Sequence, residues 1–175
     1  MAALLEALYA QADEFIAIRQ DIHENPELAY EEFRTSEIVA EKLASWGYAV
    51  ERGIGGTGVV GQLKRGAGAR SIGIRADMDA LPIVETNTFG YSSRKVGVMH
   101  ACVTGSEDFA FMLEKLPGCY LFIGNGDGVP GMDGKPTSPC MVHNPGYNSN
   151  DANIGVGSAY WVALTQRFLS AESQS

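Results

Sequence analysis

A short apolar run that ends in a cluster of charged side chains constrains the fold more than any other feature of this 175-residue sequence. The run begins at Ser71 and ends at Ile74, and Arg75, Asp77 and Asp79 follow it closely. A continuous apolar run is typical of a strand that is buried on both faces. Charged groups at the end of such a strand are a common place for a site in α/β folds. The stretch 71–79 therefore predicts a buried strand of an α/β sheet, although the two aspartates can also be turn residues.

Helical periodicity precedes this strand. Apolar spacing predicts one helix from Leu4 to His23, which Asn25-Pro26 stops, and a second helix from Tyr30 to Trp46. Gly47 is the expected C-terminal cap of the second helix. The glycine-rich stretch 53–58 lies between two short strand-like runs, so it predicts a hairpin turn.

The second half of the chain continues the alternation of helices and strands. We expect a polar surface loop at 81–93, a helix at 107–116 with Ser106 as its N-cap, and an apolar strand at 119–124. A last helix follows Asn150-Asp151 and runs to about residue 169. The pattern predicts a single α/β domain over residues 1–175, with one mixed sheet flanked by helices.

Charge and composition exclude several partners. The 13 Lys and Arg against 21 Asp and Glu give a net charge of −8, which argues against nucleic acid and anionic membrane surfaces. No apolar run is long enough to span a membrane, and the first residues do not have the pattern of a secretory signal. Three cysteines without a disulfide-like spacing favour a reduced, cytoplasmic location.

His100 and Cys102 are the first candidates for a metal site. In an extended segment their side chains point to the same face, and imidazole and thiolate both suit zinc. A buried cysteine beside a strand-end histidine is the simpler interpretation. His143, in the loop before the last helix, is either a ligand or a surface residue. A zinc knuckle of Cys102, Cys119, Cys140 and His143 is an alternative by count, but its spacings match no known knuckle.

Taken together, these segments resemble the M20 metallopeptidase family, in its subgroup of N-acyl-amino-acid amidohydrolases (hippurate hydrolase, aminoacylase and auxin-conjugate hydrolase). The resemblance covers nearly the whole chain in family order. It rests on these stretches: Ile22–Leu28 with Glu31-Glu32, Gly53–Gly61, Ile74–Ile83, Met99–Cys102, Gly105–Ala110, Gly124–Gly126, and His143–Pro145 with Asn150-Asp151.

The chain departs from the family directly after Cys102. In the family the Met-His-Ala-Cys motif continues into Gly-His-Asp-Gly-His, whereas here Val103-Thr104-Gly105 follows and leads into a motif of the family's last part. Residues 1–102 therefore resemble the N-terminal part of the family and residues 103–175 its C-terminal part. The resemblance implies a truncated catalytic domain without a lid domain, from which the central segment, with the catalytic glutamate and further metal ligands, is absent.

The resemblance also implies what remains of the site. Cys102 and His143 match family metal ligands. His100 matches the motif but not a ligand position, and Asp77 and Asp79 match positions near the site that are not expected to bind metal directly. No catalytic residue carries over. Glu107 or Asp108, close to Cys102 in sequence, is a candidate replacement ligand.

The implied function is metal-dependent hydrolysis of an N-acyl amino acid. In the family a pair of divalent metal ions, zinc or manganese, activates a water molecule, and a glutamate takes its proton. We expect this chain to perform the reaction poorly or not at all. The alternative is a non-catalytic remnant that acts as a binding or self-association module, forming a homo-oligomer.

Overall fold

The computed structural model describes residues 2–100, 107–126 and 142–170. Within these ranges the chain forms five helices and one hairpin. The helices are α1 (Ala2–Tyr9), α2 (Ala12–Glu24), α3 (Phe33–Ser45), α4 (Glu107–Leu113) and α5 (Asn153–Ser170), and the strands are β1 (Ala49–Ile54) and β2 (Gly58–Gln62).

The single helix predicted from Leu4 to His23 is two helices, because the chain tightens into a turn between them. The backbone N–H of Gln11 donates to the carbonyl of Leu8 at 3.1 Å. Its side-chain amide donates to the carbonyl of Ala7, the acceptor that the backbone N–H would use in a continuous helix. The prediction that Asn25-Pro26 stops α2 is confirmed.

Helix α3 begins three residues later than predicted and ends as predicted. Tyr30 has a left-handed backbone, with φ of 66°, and lies before the helix. At the other end Gly47, with φ of 85°, donates to the carbonyl of Ala44, and Tyr48 donates to that of Leu43. This pair of bonds is the Schellman motif, which favours glycine at the left-handed position.

The predicted hairpin is confirmed. β1 and β2 pair antiparallel from Ala49 opposite Gln62 to Ile54 opposite Gly58, with an irregularity near the turn. α3 packs against this hairpin. A Cβ on Gly61 would lie 3.0 Å from Cδ1 of Leu43, so a larger residue here would force the Leu43 side chain to shift.

Two predicted strands do not form in the described part of the chain. Residues 71–79 and 119–124 have no regular structure, and the described sheet contains β1 and β2 alone. Ile74 is 52% exposed, so the run is not buried. A strand of this kind needs pairing partners on both sides, and no described segment supplies them. The α/β class is thus confirmed, but the described sheet is a two-stranded antiparallel hairpin, smaller than the mixed sheet predicted.

The small core joins early and late parts of the chain. Met99 and Tyr147 are buried against each other, and Leu81, Ile83 and Val142 pack around them. An isolated antiparallel bridge pairs Leu81 with Met99. Residues 81–93, predicted as a surface loop, therefore contribute side chains to the interior.

The ends of the chain also pack together. Helix α5 lies against α1 and α2, and a Cβ on Gly155 would lie 2.5 Å from the ring of Tyr9. No helix in the described ranges is long and apolar enough to cross a membrane.

Candidate functional site

A buried pair of His23 and Glu85 lies at the centre of the polar interior. Nε2 of His23 is 3.0 Å from Oε1 of Glu85, and each side chain is only 5% exposed. The position of His23 in the last turn of α2 follows from the stop at Asn25-Pro26. Glu85 comes from the loop that the sequence predicted to be on the surface. A buried carboxylate requires several donors, because burial disfavours its charged form.

Glu85 has those donors. Asn87 Nδ2 donates to Oε1 at 3.0 Å, and the backbone N–H of Ser93 donates to Oε2 at 2.6 Å. Burial by itself raises the pKa of Glu85, but the hydrogen bonds from His23, Ser93 and Asn87 outweigh it, so the net pKa is lowered. Glu85 is therefore a structural anion that fixes the His23 ring and the loop at 85–93.

A second ion pair joins α2 to the start of α5. Nε and Nη2 of Arg19 donate to the two carboxylate oxygens of Asp151, and Gln20 Nε2 donates to the same carboxylate at 3.2 Å. The Arg19 guanidinium lies 5.0 Å from the centre of the Tyr91 ring. The Tyr91 ring in turn contacts His23 edge-on, at 5.9 Å between ring centres. Asp151 lies just before α5, and its carboxylate therefore ties the start of α5 to α2.

The stretch after α2 serves as a cap for α3. Glu27 accepts from the backbone N–H of Arg34 at 3.0 Å and from the N–H and hydroxyl of Thr35 at 2.7 and 2.8 Å. Burial raises the pKa of Glu27, but these hydrogen bonds and the Arg34 charge lower it overall. The backbone of Glu27 also accepts from Ala80 at 2.7 Å, which ties this cap to the stretch after Asp79.

Glu32 occupies the N-cap position of α3, but its side chain makes no capping bond there. It is buried and accepts from the Thr57 hydroxyl in the hairpin turn at 2.6 Å. The residue that caps α3 is Glu27, which sequence spacing did not indicate.

His100 lies beside these groups with one ring nitrogen unused. In the described part of the chain its Nε2 is buried and has no hydrogen-bond partner. Burial lowers the pKa of His100 to about 4, and the neighbouring His23 adds to the effect, while the Asp79 carbonyl and Glu27 oppose it. His100 is therefore neutral near pH 7.

Asp79, whose backbone acts on His100, also carries a perturbed carboxyl group. Burial raises the pKa of the Asp79 carboxyl group, and the charges of Asp77 and Glu32 raise it further. A hydrogen bond from its own backbone and the charge of Arg75 lower the pKa, but the net pKa is raised. Asp77 is more exposed, and Arg75 donates to it at 2.6 Å. That these two aspartates lie near a metal site, as the resemblance implies, stays a prediction.

The two predicted metal ligands are not seen together. His143 is exposed, in a loop where its backbone is left-handed with φ of 69°. This loop is held by the Thr86 N–H, which donates to the Pro145 carbonyl at 2.9 Å. Cys102 lies outside the described residues, as do Cys140 and Ser106.

The other candidate ligands give no cluster either. Cys119 is a free, exposed thiol. Glu107 and Asp108 lie in the first turn of α4, and their side chains are outside the described part. In the ranges 2–100, 107–126 and 142–170, no three side chains of His, Cys, Asp or Glu come together to hold a metal ion. The described donors thus do not fit a dinuclear metal centre, since even a single catalytic zinc takes three protein ligands.

The groups that sequence reasoning missed are Arg19, Glu27, Glu85 and Tyr91. One signal was available, because Arg19 and His23 are four residues apart on α2 and therefore share one face. Two polar side chains on one face among apolar neighbours indicate buried polar partners elsewhere. The partners themselves are more than 60 residues away in sequence for both side chains, which no local pattern specifies.

Comparison with known proteins gives a consistent set of relatives. Over 89 residues the chain is 55% identical to a hippurate hydrolase of Campylobacter jejuni. The aligned region covers 51% of this chain and 23% of that protein. Over 120 residues it is 46% identical to thermostable carboxypeptidase 2 of Saccharolobus solfataricus. The aligned region covers 68% of this chain and 30% of that protein. No protein-family model matches the chain.

A solved structure shares the fold as well. A dinuclear metal-binding peptidase of the M20 family from Bacillus subtilis superimposes with a TM-score of 0.51 at 35% identity, over 54% of this chain and 27% of that one. In each of these comparisons the chain spans less than a third of the relative's own length. The ordered motifs, the level of identity and the shared fold lead to one conclusion: this chain belongs to the M20 family of peptidases and amidohydrolases.

Proposed function

We propose that this chain derives from a metal-dependent hydrolase of N-acyl amino acids and that, on its own, it hydrolyses such amides poorly or not at all. One observation carries the proposal: the sequence departs from the family motif directly after Cys102, and the described residues bring no three metal-ligating side chains together. Hydrolysis of an unactivated amide requires an activated nucleophile and a general base. Of the family ligands, Cys102 and His143 are what the sequence retains, and both stay predictions.

The described residues organise the interior but do not carry out a proton transfer to a substrate. The His23–Glu85 pair is buried, and both carboxylate oxygens of Glu85 already accept hydrogen bonds within the chain. Glu27 is committed to the N-terminus of α3. A candidate base must reach the proton that it abstracts, and these carboxylates do not meet that requirement.

The substrate class, if the chain is active, is the small N-acyl amino acid of its relatives, and the cofactor is zinc or manganese. The C. jejuni relative is named for hippurate hydrolysis, which supports hippurate as the probe. We further propose that residues 1–102 and 103–175 form one catalytic-domain-like unit. The Arg19–Asp151 pair and the Met99–Tyr147 core, both of which join the two parts, support this. The cytoplasmic location stays a prediction.

Hippurate hydrolysis tests the proposal. Purified protein supplied with Zn²⁺ or Mn²⁺ should release no glycine above the metal-only background. Cys119→Ala serves as the matched control for Cys102→Ala, because Cys119 is a free, exposed thiol. Metal-dependent turnover that Cys102→Ala abolishes and Cys119→Ala preserves would show that the chain is an active amidohydrolase.

The second candidate function is self-association without catalysis. The observation that favours it is the number of large apolar side chains on the described surface, among them Phe111, Leu116 and Phe122. Exposed apolar surface of this extent marks an interaction site more often than a free surface.

A further inference from the structure

Asn125 fastens the segment that it ends to the stretch of chain that leads into α5. Its Nδ2 donates to the Asn148 carbonyl at 2.8 Å, and the backbone N–H of Asn150 donates to its Oδ1 at 2.8 Å. The side chain of Asn150 adds a third bond, because its Nδ2 donates to the Asn125 carbonyl at 3.2 Å. We call these three hydrogen bonds the asparagine clasp.

The partners of the Asn125 amide allow it one orientation. A carbonyl oxygen only accepts hydrogen bonds, and a backbone N–H only donates them. Exchanging Oδ1 with Nδ2 would place an oxygen against the Asn148 carbonyl and an NH₂ group against the Asn150 N–H. The clasp therefore requires an amide at position 125, with its nitrogen toward Asn148.

The residue that follows makes this amide chemically labile. Gly126 has a left-handed backbone with φ of 82°, and a Cβ there would lie 3.2 Å from Nδ2 of Asn150, so the position favours glycine. A glycine also leaves its own nitrogen unhindered toward the preceding side chain. The sequence contains a single Asn-Gly pair, and it is this one. The fold thus favours glycine at the position where glycine makes a thermolabile asparagine most reactive.

We propose that Asn125 is a deamidation site that the clasp shields in the folded chain and whose product cannot close the clasp again. The Gly126 nitrogen attacks Cγ of Asn125 and forms a new C–N bond. The Cγ–Nδ2 bond then breaks, and Nδ2 leaves as ammonia with the proton that the Gly126 nitrogen gives up. Water opens the resulting succinimide ring to aspartate or isoaspartate. The reaction exchanges ammonia for water and needs no other reagent.

The closed clasp opposes the first of these steps. Cγ of Asn125 must turn toward the Gly126 nitrogen, but Nδ2 and Oδ1 are both held by the facing stretch of chain. Reaction therefore proceeds through an opened clasp, and the closed state slows it by the factor by which closed molecules outnumber open ones.

The product does not restore the clasp. An aspartate side chain has no donor near neutral pH, so one of its oxygens would face the Asn148 carbonyl oxygen. Isoaspartate also inserts the side-chain carbon into the backbone. An opening that lasts long enough for reaction is thus recorded permanently at Asn125.

Deamidation rates in the wild-type chain test the shielding. Metal-free protein is kept in mildly alkaline buffer with or without guanidinium chloride, and peptide mapping by mass spectrometry locates the mass gain. In denaturant Asn125 should react faster than any other asparagine, and Gly126→Ala should slow it, because a methyl group hinders ring closure. In native buffer Asn125 should react at least about tenfold more slowly, a ratio that corresponds to about 1.4 kcal/mol for opening the clasp.

Asn144 is the internal control for the chemistry. Pro145 follows it, and a proline nitrogen has no proton to give up, so Asn144 should stay intact in both conditions.

A matched pair of variants tests the effect of the product. Asn125→Asp and Asn144→Asp add the same charge. Oδ1 of Asn144 accepts from the Gly146 N–H at 2.9 Å, and a carboxylate keeps that bond, whereas Asn125→Asp loses the donor toward Asn148. Asn125→Asp should lower the guanidinium midpoint and speed hydrogen exchange over residues 148–153, and Asn144→Asp should change neither.

Three outcomes overturn the proposal. One is an equal rate at Asn125 in native and denaturing conditions, and another is a faster reaction of a different asparagine in denaturant. The third is a midpoint of Asn125→Asp that equals that of the wild-type chain. The rates are measured on the wild-type chain without metal or substrate, so they stand whether or not the variants fold and whether or not the chain hydrolyses hippurate.

Discussion

Removing the Glu85 carboxylate tests the buried polar network most severely. In Glu85→Ala three donors lose their acceptor: the His23 ring, the Asn87 amide and the Ser93 backbone N–H. Leaving a buried donor without its acceptor costs about 1–3 kcal/mol, so we expect the loss of all three contacts to cost about 3–5 kcal/mol. Folded domains are stable by only about 5–15 kcal/mol, so this is a large fraction of the total.

Urea denaturation at pH 7, followed by circular dichroism, measures this change. We expect Glu85→Ala to lower the free energy of unfolding by about 3–5 kcal/mol, which corresponds to a melting temperature lower by roughly 6–20 °C for a domain of this size. Glu85→Gln keeps one acceptor oxygen and should cost less. The matched control is Glu37→Ala, which removes a surface pair with Arg52 and should cost less than about 1 kcal/mol. Equal losses in Glu85→Ala and Glu37→Ala would refute the reasoning.

Three further predictions concern other parts of the fold. The pKa of His100 is about 4 in the folded chain and 6.5 in the unfolded chain, so the unfolded chain takes up a proton first as the pH falls. Metal-free protein should therefore lose on the order of 3 kcal/mol of its free energy of unfolding between pH 6.5 and about pH 4. In urea titrations His100→Gln should reduce this dependence of stability on pH. Gly47→Ala, at φ of 85°, should cost about 1 kcal/mol in thermal melts, and no measurable loss relative to Gly68→Ala would contradict the Schellman cap. Asp151→Ala should increase hydrogen exchange at the start of α5, since Arg19 then has no carboxylate to bind; unchanged protection there would show that this pair does not hold α5 to α2.

Features specified by local sequence could be predicted well. The stop of α2 at Asn25-Pro26, the glycine end of α3 and the glycine turn of the hairpin each depend on a few adjacent residues. The boundaries that differed did so through side-chain contacts, such as the Gln11 amide that ends α1 early. The family was also readable from sequence, and the relatives confirm it.

Features that depend on distant partners could not be predicted. Residues 71–79 have the composition of a buried strand, but a strand forms only where a neighbouring strand is available to pair. The partners of His23 and Arg19, Glu85 and Asp151, are more than 60 residues away along the chain. The carboxylate that caps α3 was likewise outside any local capping pattern, because Glu27 lies several residues before the start of the helix.

Metal stoichiometry tests the central claim most directly, namely that this chain keeps the M20 framework without the donors for a dinuclear centre. Protein equilibrated with Zn²⁺ and dialysed against metal-free buffer should retain fewer than two ions per chain by elemental mass spectrometry. Any ion retained should be lost in Cys102→Ala and kept in Cys119→Ala. Two ions held per chain after dialysis would contradict the account.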